Sequence, residues 1–251
     1  MAVKEEFIKK GKWLFRYRGY LPLYLSVLLI IAFFDDHTII IDTTIDKIYE
    51  IICLSVSFFG LLIRIITIGF TPKNTSGRNK KTQKAEMLNT TGIYSVVRNP
   101  LYLGNYFVLL GIMMYPQSVW LVVISSLIFW IYYERIIFME EDFLRNKFKE
   151  HYLNWANNVP PFVPKFKEWK SAKLQFSFKN ILKREYLTFF AIIIMFCFLE
   201  ILKNYFYYKK VIFDVFWIIT FCFGLLTLIR ICQIIVKYQF ELLIRVVSMP
   251  L

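Results

Sequence analysis

Histidine, cysteine and glycine are all scarce in this chain of 251 residues, and each scarcity closes off a kind of chemistry. With His37 and His151 as the two histidines, a histidine-built metal site is not expected. The four cysteines, Cys53, Cys197, Cys222 and Cys232, all sit inside apolar runs, so neither a disulfide across an exposed loop nor a zinc motif is expected. None of the nine glycines builds a GxGxxG after a strand-like run, which excludes a Rossmann-type methyltransferase. Internal repeats and low-complexity tracts are missing. A cleavable signal peptide is not expected either, because the opening "MAVKEEFIKKGKWLFRYRGY" is charged and no small-residue cleavage site follows the first apolar run.

Apolar residues are what the chain has instead. A hydrophobic content of 57%, 19% aromatics and a mean hydropathy of +0.50 exceed what a soluble fold carries. An all-α, polytopic integral membrane protein is expected. The net charge of +13 raises nucleic acid as a partner, but the Lys and Arg residues lie in the polar segments between apolar runs. That placement fits membrane orientation and contact with anionic headgroups, so no nucleic-acid partner is expected.

About six transmembrane helices are expected, near Tyr20–Phe34, Ile51–Phe70, Leu101–Tyr115, Val119–Tyr133 or beyond, Tyr186–Leu202 and Val211–Val236. Several fall short of the ~20 residues a perpendicular span needs, so their flanks must complete them. The leader carries Lys4, Lys9, Lys10, Lys12, Arg16 and Arg18, whereas the first connection carries Asp35, Asp36, Asp42, Asp46 and Glu50 against Lys47. The N-terminus is therefore expected in the cytoplasm. The basic "PKFKEWKSAKLQFSFKNILKRE" reads as an interfacial linker. It divides residues 1–165, a four-helix core with a cytoplasmic segment, from a linker at 166–185 and a helix pair at 186–251.

The turn "MMYPQSVW" is short enough for a tight hairpin, with Pro116 ending the third helix as the fourth begins. These helices are then antiparallel neighbours, and "VVRNP" at the start of one faces "FMEEDF" near the end of the other. Ionisable groups at a bilayer edge are costly unless paired or wet, which makes Arg98 opposite Glu140 and Glu141 a candidate site; an ordinary interfacial salt bridge is the plain alternative.

The ordered combination "RNPLYLG", a hairpin and "EEDFLRNKFKEHYLNWANNVPPFVP" resembles the isoprenylcysteine carboxyl methyltransferase and phospholipid methyltransferase superfamily. Arg98, Pro100, Tyr102, Gly104, Glu140, Glu141, Leu144, Phe148, Tyr152, Val159, Pro160 and Pro164 fall on its pattern in order, over Gly92–Pro164. Asn99 replaces the pattern's His, Lys149 its Gly and Trp155 its second Tyr. Asn99 still donates and accepts hydrogen bonds but takes up no proton.

The resemblance implies S-adenosylmethionine as cofactor, with Arg98, Glu140 and Glu141 in the catalytic role. Asn99, Pro100, Tyr102, Gly104, Leu144 and Tyr152 would join the two glutamates around the cofactor. Carboxylates suit its ribose and ammonium groups, and Tyr102 or Trp155 suits the adenine or the sulfonium, a cation–π contact being worth ~0.5 to 2 kcal/mol. Gly104 and Gly111, seven apart, admit either a ligand or a neighbouring helix. The chain offers few bases, which favours an acceptor that is already anionic, such as a membrane lipid phosphate of the lipid A kind. Arg64, Arg78, Arg98 and His151 are the candidate acceptor-binding residues. Arg64 also has a simple reading as a side chain snorkelling to the membrane edge.

A prenylcysteine carboxylate and phosphatidylethanolamine are the alternative acceptors. The bias toward Ile, Phe and Lys points to an AT-rich bacterial genome and hence to a bacterial inner membrane. An NADPH-dependent membrane sterol-type reductase shares a similar helical pattern and is a rival, although paired glutamates suit a polyanionic cofactor poorly. A membrane scaffold that binds neither cofactor is the third possibility.

Overall fold

A computed structural model describes residues 3–35, 43–71, 85–209, 220–230 and 232–233. Among them the chain forms α1 (Val3–Tyr17), α2 (Leu21–Phe34), α3 (Thr43–Gly69), α4 (Pro100–Met114), α5 (Val119–Ala156), α6 (Phe178–Tyr208) and α7 (Thr220–Arg230). Short 3-10 turns cover Arg18–Tyr20, Ile93–Ser95 and Phe166–Glu168. The described residues hold no strand beyond an isolated bridge between Gly92 and Lys170. The all-α membrane architecture read from the sequence is therefore the one observed.

Among the described residues, four stretches are long and apolar enough to cross a membrane: Val3–Phe34, Thr44–Gly69, Val119–Ala156 and Phe178–Tyr207. Two of the six expected spans are shorter helices. α4 has 15 residues, about 22 Å at 1.5 Å per residue, less than the ~30 Å of a hydrocarbon core. Proline sets its length from both sides, with Pro100 as its first residue and Pro116 two residues beyond its last. The other is α7, and much of the expected Val211–Val236 segment lies outside the described residues.

The chain divides into two compact units, Met1–Ser177 and Phe178–Leu251. Residues 166–177, counted with the linker from composition, belong to the first unit, and residues 178–185 form the opening turns of α6. In the second unit, Gly224 of α7 faces Ile193 of α6. Further along α6, Glu200 accepts a hydrogen bond from Asn204 at 2.9 Å and pairs with Lys203 at 3.6 Å.

Within the first unit α3 and α4 meet backbone to backbone. A Cβ on Gly104 would lie 2.8 Å from the Gly60 carbonyl oxygen, and one on Gly60 would lie 2.5 Å from the Gly104 oxygen. Gly111, two turns along α4, sits against the Cys53 carbonyl and the Ser57 hydroxyl. Of the two readings of this glycine pair, close helix packing is the one the fold uses. The Ser57 hydroxyl also donates to the Val108 carbonyl at 2.9 Å.

α1 runs along α5, which its charged sequence did not announce. Gly11 presses on the backbone at Arg135, Phe7 meets Phe138 edge-on at 5.7 Å, and the Tyr132 hydroxyl donates to the Leu14 carbonyl at 2.9 Å. The junction of α1 and α2 is thereby fixed beside the middle of α5.

The α4–α5 hairpin closes as expected: Gln117 takes a positive φ of 59° and α5 starts at Val119. α5 runs 38 residues and breaks at Lys149, where φ is 47° and ψ is −124°.

Candidate functional site

The site begins with a loop that the helices leave no freedom to wander. Gly92 holds a φ of 63° that an L side chain rarely adopts, and the Ser95 hydroxyl donates back to its carbonyl at 2.7 Å. Val96 and Val97 are then buried with Ile63 and Leu103, so the chain enters α4 with its two valines driven into the core. Arg98 and Asn99, the next two residues, are left at the rim.

The segment after α5 straps this loop in place. The Arg98 amide donates to the Pro160 carbonyl, the Lys165 amide to Val96 and the Gly92 amide to Lys170, each at 2.9 Å. Asn99 occupies the N-cap of α4, yet its side chain makes no capping bond; Nδ2 donates instead to the Pro161 carbonyl at 3.1 Å. Asn99, where the pattern has His, thus supplies a donor that ties the two segments together. Pro100 is buried at the first helical position, where a missing amide hydrogen loses nothing.

Three successive carboxylates of α5 fan out to three partners. Successive helix positions are about 100° apart around the axis, so adjacent glutamates point in different directions. Glu140 Oε2 accepts from the Tyr102 hydroxyl of α4 at 3.0 Å, Glu141 Oε1 lies 2.8 Å from Arg98 Nη1, and Asp142 lies 3.2 Å from Lys4 Nζ of α1. The doublet is one feature in sequence and two contacts in space.

The break at Lys149 supplies the fourth member. Past it the helix is redirected, and Tyr152, 1% exposed, brings its hydroxyl to 3.5 Å from Arg98 Nη1 as an acceptor. Trp155 Nε1 donates to the Tyr94 carbonyl at 3.0 Å, which fastens the redirected turn to the loop before α4. The site is therefore held by both segments of the resemblance at once.

Arg98 and Glu141 remain incompletely satisfied. Arg98 Nε and Glu141 Oε1 are buried without a hydrogen-bond partner, the 2.8 Å approach being an ion pair outside hydrogen-bond geometry. Beside them runs an aromatic wall. Tyr102 lies 4.7 Å from Tyr133, Tyr133 4.3 Å from Phe129, and Phe129 5.3 Å from Tyr106 between ring centres.

Seven of the expected residues thus gather at one place: Arg98, Asn99, Pro100, Tyr102, Glu140, Glu141 and Tyr152. Leu144 is half-buried one turn past Glu140. Gly104 does not face this cluster, because it is packed against Gly60 and the stem of Arg64. His151 is exposed where its neighbour Tyr152 is buried, so it points away from Arg98. Arg64 donates through Nη1 to the Asn105 side chain, and Arg78 lies outside the described residues. Arg18 and Tyr133 belong to the neighbourhood but escaped the sequence reading. Arg18 was absorbed into the charge bias of the leader, and Tyr133 into a run of apolar and aromatic residues.

Fold and site together define an all-α integral membrane protein with an arginine–carboxylate–tyrosine cluster at one end of a helical hairpin. Residues 51–151 match the phospholipid methyltransferase family. Three curated relatives match part of the chain. The nickel-cobalt-cadmium resistance protein NccN of Alcaligenes xylosoxydans xylosoxydans is 30% identical over 118 residues, 47% of this chain and 53% of that protein. The protein-S-isoprenylcysteine O-methyltransferase of Schizosaccharomyces pombe is 32% identical over 84 residues, 34% of this chain and 36% of that protein. The cobalt-zinc-cadmium resistance protein CzcN of Cupriavidus metallidurans is 33% identical over 90 residues, 36% of this chain and 39% of that protein. The chain spans about half or less of the length of these relatives. No solved structure matches.

Proposed function

We propose that this protein transfers a methyl group from S-adenosylmethionine to a membrane lipid, at an anionic oxygen such as a lipid phosphate of the lipid A kind. The observation that carries the reading is the Arg98–Glu141 ion pair beside the Tyr102–Glu140 hydrogen bond, at one end of a hairpin from the matched family. The residues suit the cofactor. Its ammonium and ribose hydroxyls are donors for Glu140 and Glu141, its carboxylate is an acceptor for Arg98, and Arg98 Nε and Glu141 Oε1, buried without a hydrogen bond, are atoms that such a ligand would satisfy. Asn99, Pro100, Leu144 and Tyr152 complete the surround.

When bound, S-adenosylmethionine supplies a methyl group already activated on sulfonium; the acceptor oxygen forms the new C–O bond as the C–S bond breaks and its electron pair stays on sulfur. The chain's part is positioning and exclusion of water. Tyr102 and the aromatic wall offer ring faces to a cation, worth ~0.5 to 2 kcal/mol each where water is excluded. Tyr152 and Glu141 both hold the Arg98 guanidinium at Nη1. An anionic acceptor needs no base, which fits a cluster beside which His151 is exposed.

A prenylcysteine carboxylate is the second reading, favoured by the same guanidinium chemistry. The reductase reading is weaker, since a dinucleotide pyrophosphate would meet Glu140, Glu141 and Asp142. The basic leader supports a cytoplasmic N-terminus, and with it a cytoplasmic site, which we propose for a bacterial inner membrane. Mass spectrometry of total lipids from cells with and without the gene, grown on methyl-labelled methionine, tests the function. A labelled phosphate-bearing lipid present with the gene alone is expected. Saturable NADP binding by purified protein that does not bind S-adenosylhomocysteine would falsify it.

A further inference from the structure

The strap that fastens the loop before α4 has an outer face that the site does not use. Its inner edge is committed to backbone and hydroxyl contacts: the Lys165 amide donates to Val96, the Gly92 amide to Lys170, and the Lys170 amide to the Ser95 hydroxyl, each at 2.9 Å. With the backbone tied inward, Val163, Phe166 and Trp169 stand 74%, 72% and 54% exposed, and Leu174 is exposed after them. Lys167, Lys170 and Lys173 are interleaved with these side chains and exposed as well. Glu168, the carboxylate of this stretch, is held by Lys165 at 2.7 Å, so the remaining charge has one sign. Both ends of the strap are pinned to membrane-spanning helices. Phe162 meets Trp130 of α5 edge-on at 5.1 Å, and the Ser177 amide donates to the Gly69 carbonyl at 2.8 Å, where α3 ends. Phe176 meets Phe70 beside it at 5.1 Å. The strap therefore reaches the level at which α3 leaves the hydrocarbon.

We infer that residues 163–174 dock on an anionic lipid surface, with Val163, Phe166, Trp169 and Leu174 in the interface and Lys167, Lys170 and Lys173 on the lipid phosphates. Water suits this face poorly, because large apolar side chains recur along it. The hydrocarbon core suits it no better, since every lysine there would lose its hydration. At headgroup level both kinds of side chain are satisfied: aromatic rings concentrate there, and ammonium groups meet negative charge. A protein is the rival occupant, and the position of the strap beside the end of a span, with its charge of one sign, favours lipid. Docking also braces the site, because the Arg98 amide and the Asn99 side chain hang on the Pro160 and Pro161 carbonyls at the start of the strap. It does not depend on the methyl-transfer reading.

The test reads position in the membrane rather than activity. The full chain is placed in lipid nanodiscs of phosphatidylcholine alone or of an equimolar mixture with phosphatidylglycerol, with and without bromine on the upper acyl chains. Subtracting the fluorescence of Trp169→Phe from that of wild type isolates the Trp169 indole. In the mixture its emission is expected to the blue of a water-exposed indole and to lose about half or more of its intensity to brominated lipid. Quenching should be weaker in phosphatidylcholine alone, and the combined Lys167→Gln, Lys170→Gln and Lys173→Gln variant should lose that difference. Phe166→Trp in the Trp169→Phe background gives a second reporter, expected to behave as Trp169 does. Red, unquenched emission in both compositions leaves the face to water or to a protein partner and overturns docking. Quenching that ignores phosphatidylglycerol, or keeps its dependence after the three lysines are replaced, overturns the anionic lipid as occupant.

Discussion

The two ends of the α4–α5 hairpin both hold carboxylates, but they meet different donors. At the turn, Asp46 and Glu50 of α3 are 6% and 7% exposed and accept from neutral donors: Gln117 Nε2 reaches Asp46 at 2.7 Å and the Tyr115 hydroxyl reaches Glu50 at 3.2 Å. Tyr49 adds a bond to the Met114 carbonyl at 2.9 Å. At the open end, Glu141 meets a guanidinium, and buried Arg98 and Glu141 atoms stay without hydrogen bonds. Neutral donors that join the turn to α3 make a clasp. A charged pair beside an aromatic wall is the arrangement to which the proposed methyl donor would bind.

The comparison breaks most sharply if both ends respond alike. Arg98→Ala is expected to lower kcat/KM for methyl transfer to lipid about 10³-fold, ~4 kcal/mol, read from labelled S-adenosylmethionine. Next, Gly111→Val forces a branched side chain into the Cys53 carbonyl and Ser57, and should cost about 3 kcal/mol of stability, seen as a fall in melting temperature in micelles. Glu50→Gln weakens the clasp by about 1.5 kcal/mol and lowers the melting temperature while leaving S-adenosylhomocysteine binding unchanged. The smallest effect is a gain: Lys149→Gly relieves a positive φ and should raise stability by about 1 kcal/mol, whereas Lys149→Ala should not.

Lys149 also marks where the sequence stops being legible. The meeting of Arg98 with Glu141 follows from a turn that Pro116 makes visible and from antiparallel helices of known rise. The break that delivers Tyr152 does not follow, because a lysine carries no turn signal and only the resemblance, with glycine at that place, pointed to it. Splitting of Glu140 from Glu141 was readable from helix geometry alone, since 100° separates adjacent positions. The strap from Pro160 to Lys170 was hidden, being made of backbone hydrogen bonds that any residue can form. α1 was hidden for another reason. Gly11 lies among lysines, and its contact with α5 depends on the absence of a side chain rather than on apolar character.

The central claim is that the charged end of the hairpin, and not the turn end, holds the methyl donor. Calorimetric titration of the full-length protein in micelles with S-adenosylhomocysteine tests it, comparing wild type, Glu141→Gln and Glu50→Gln. Saturable binding by wild type and Glu50→Gln, weakened about tenfold or more in Glu141→Gln, is the predicted result. Equal affinity in all three proteins, or a loss confined to Glu50→Gln, contradicts the account.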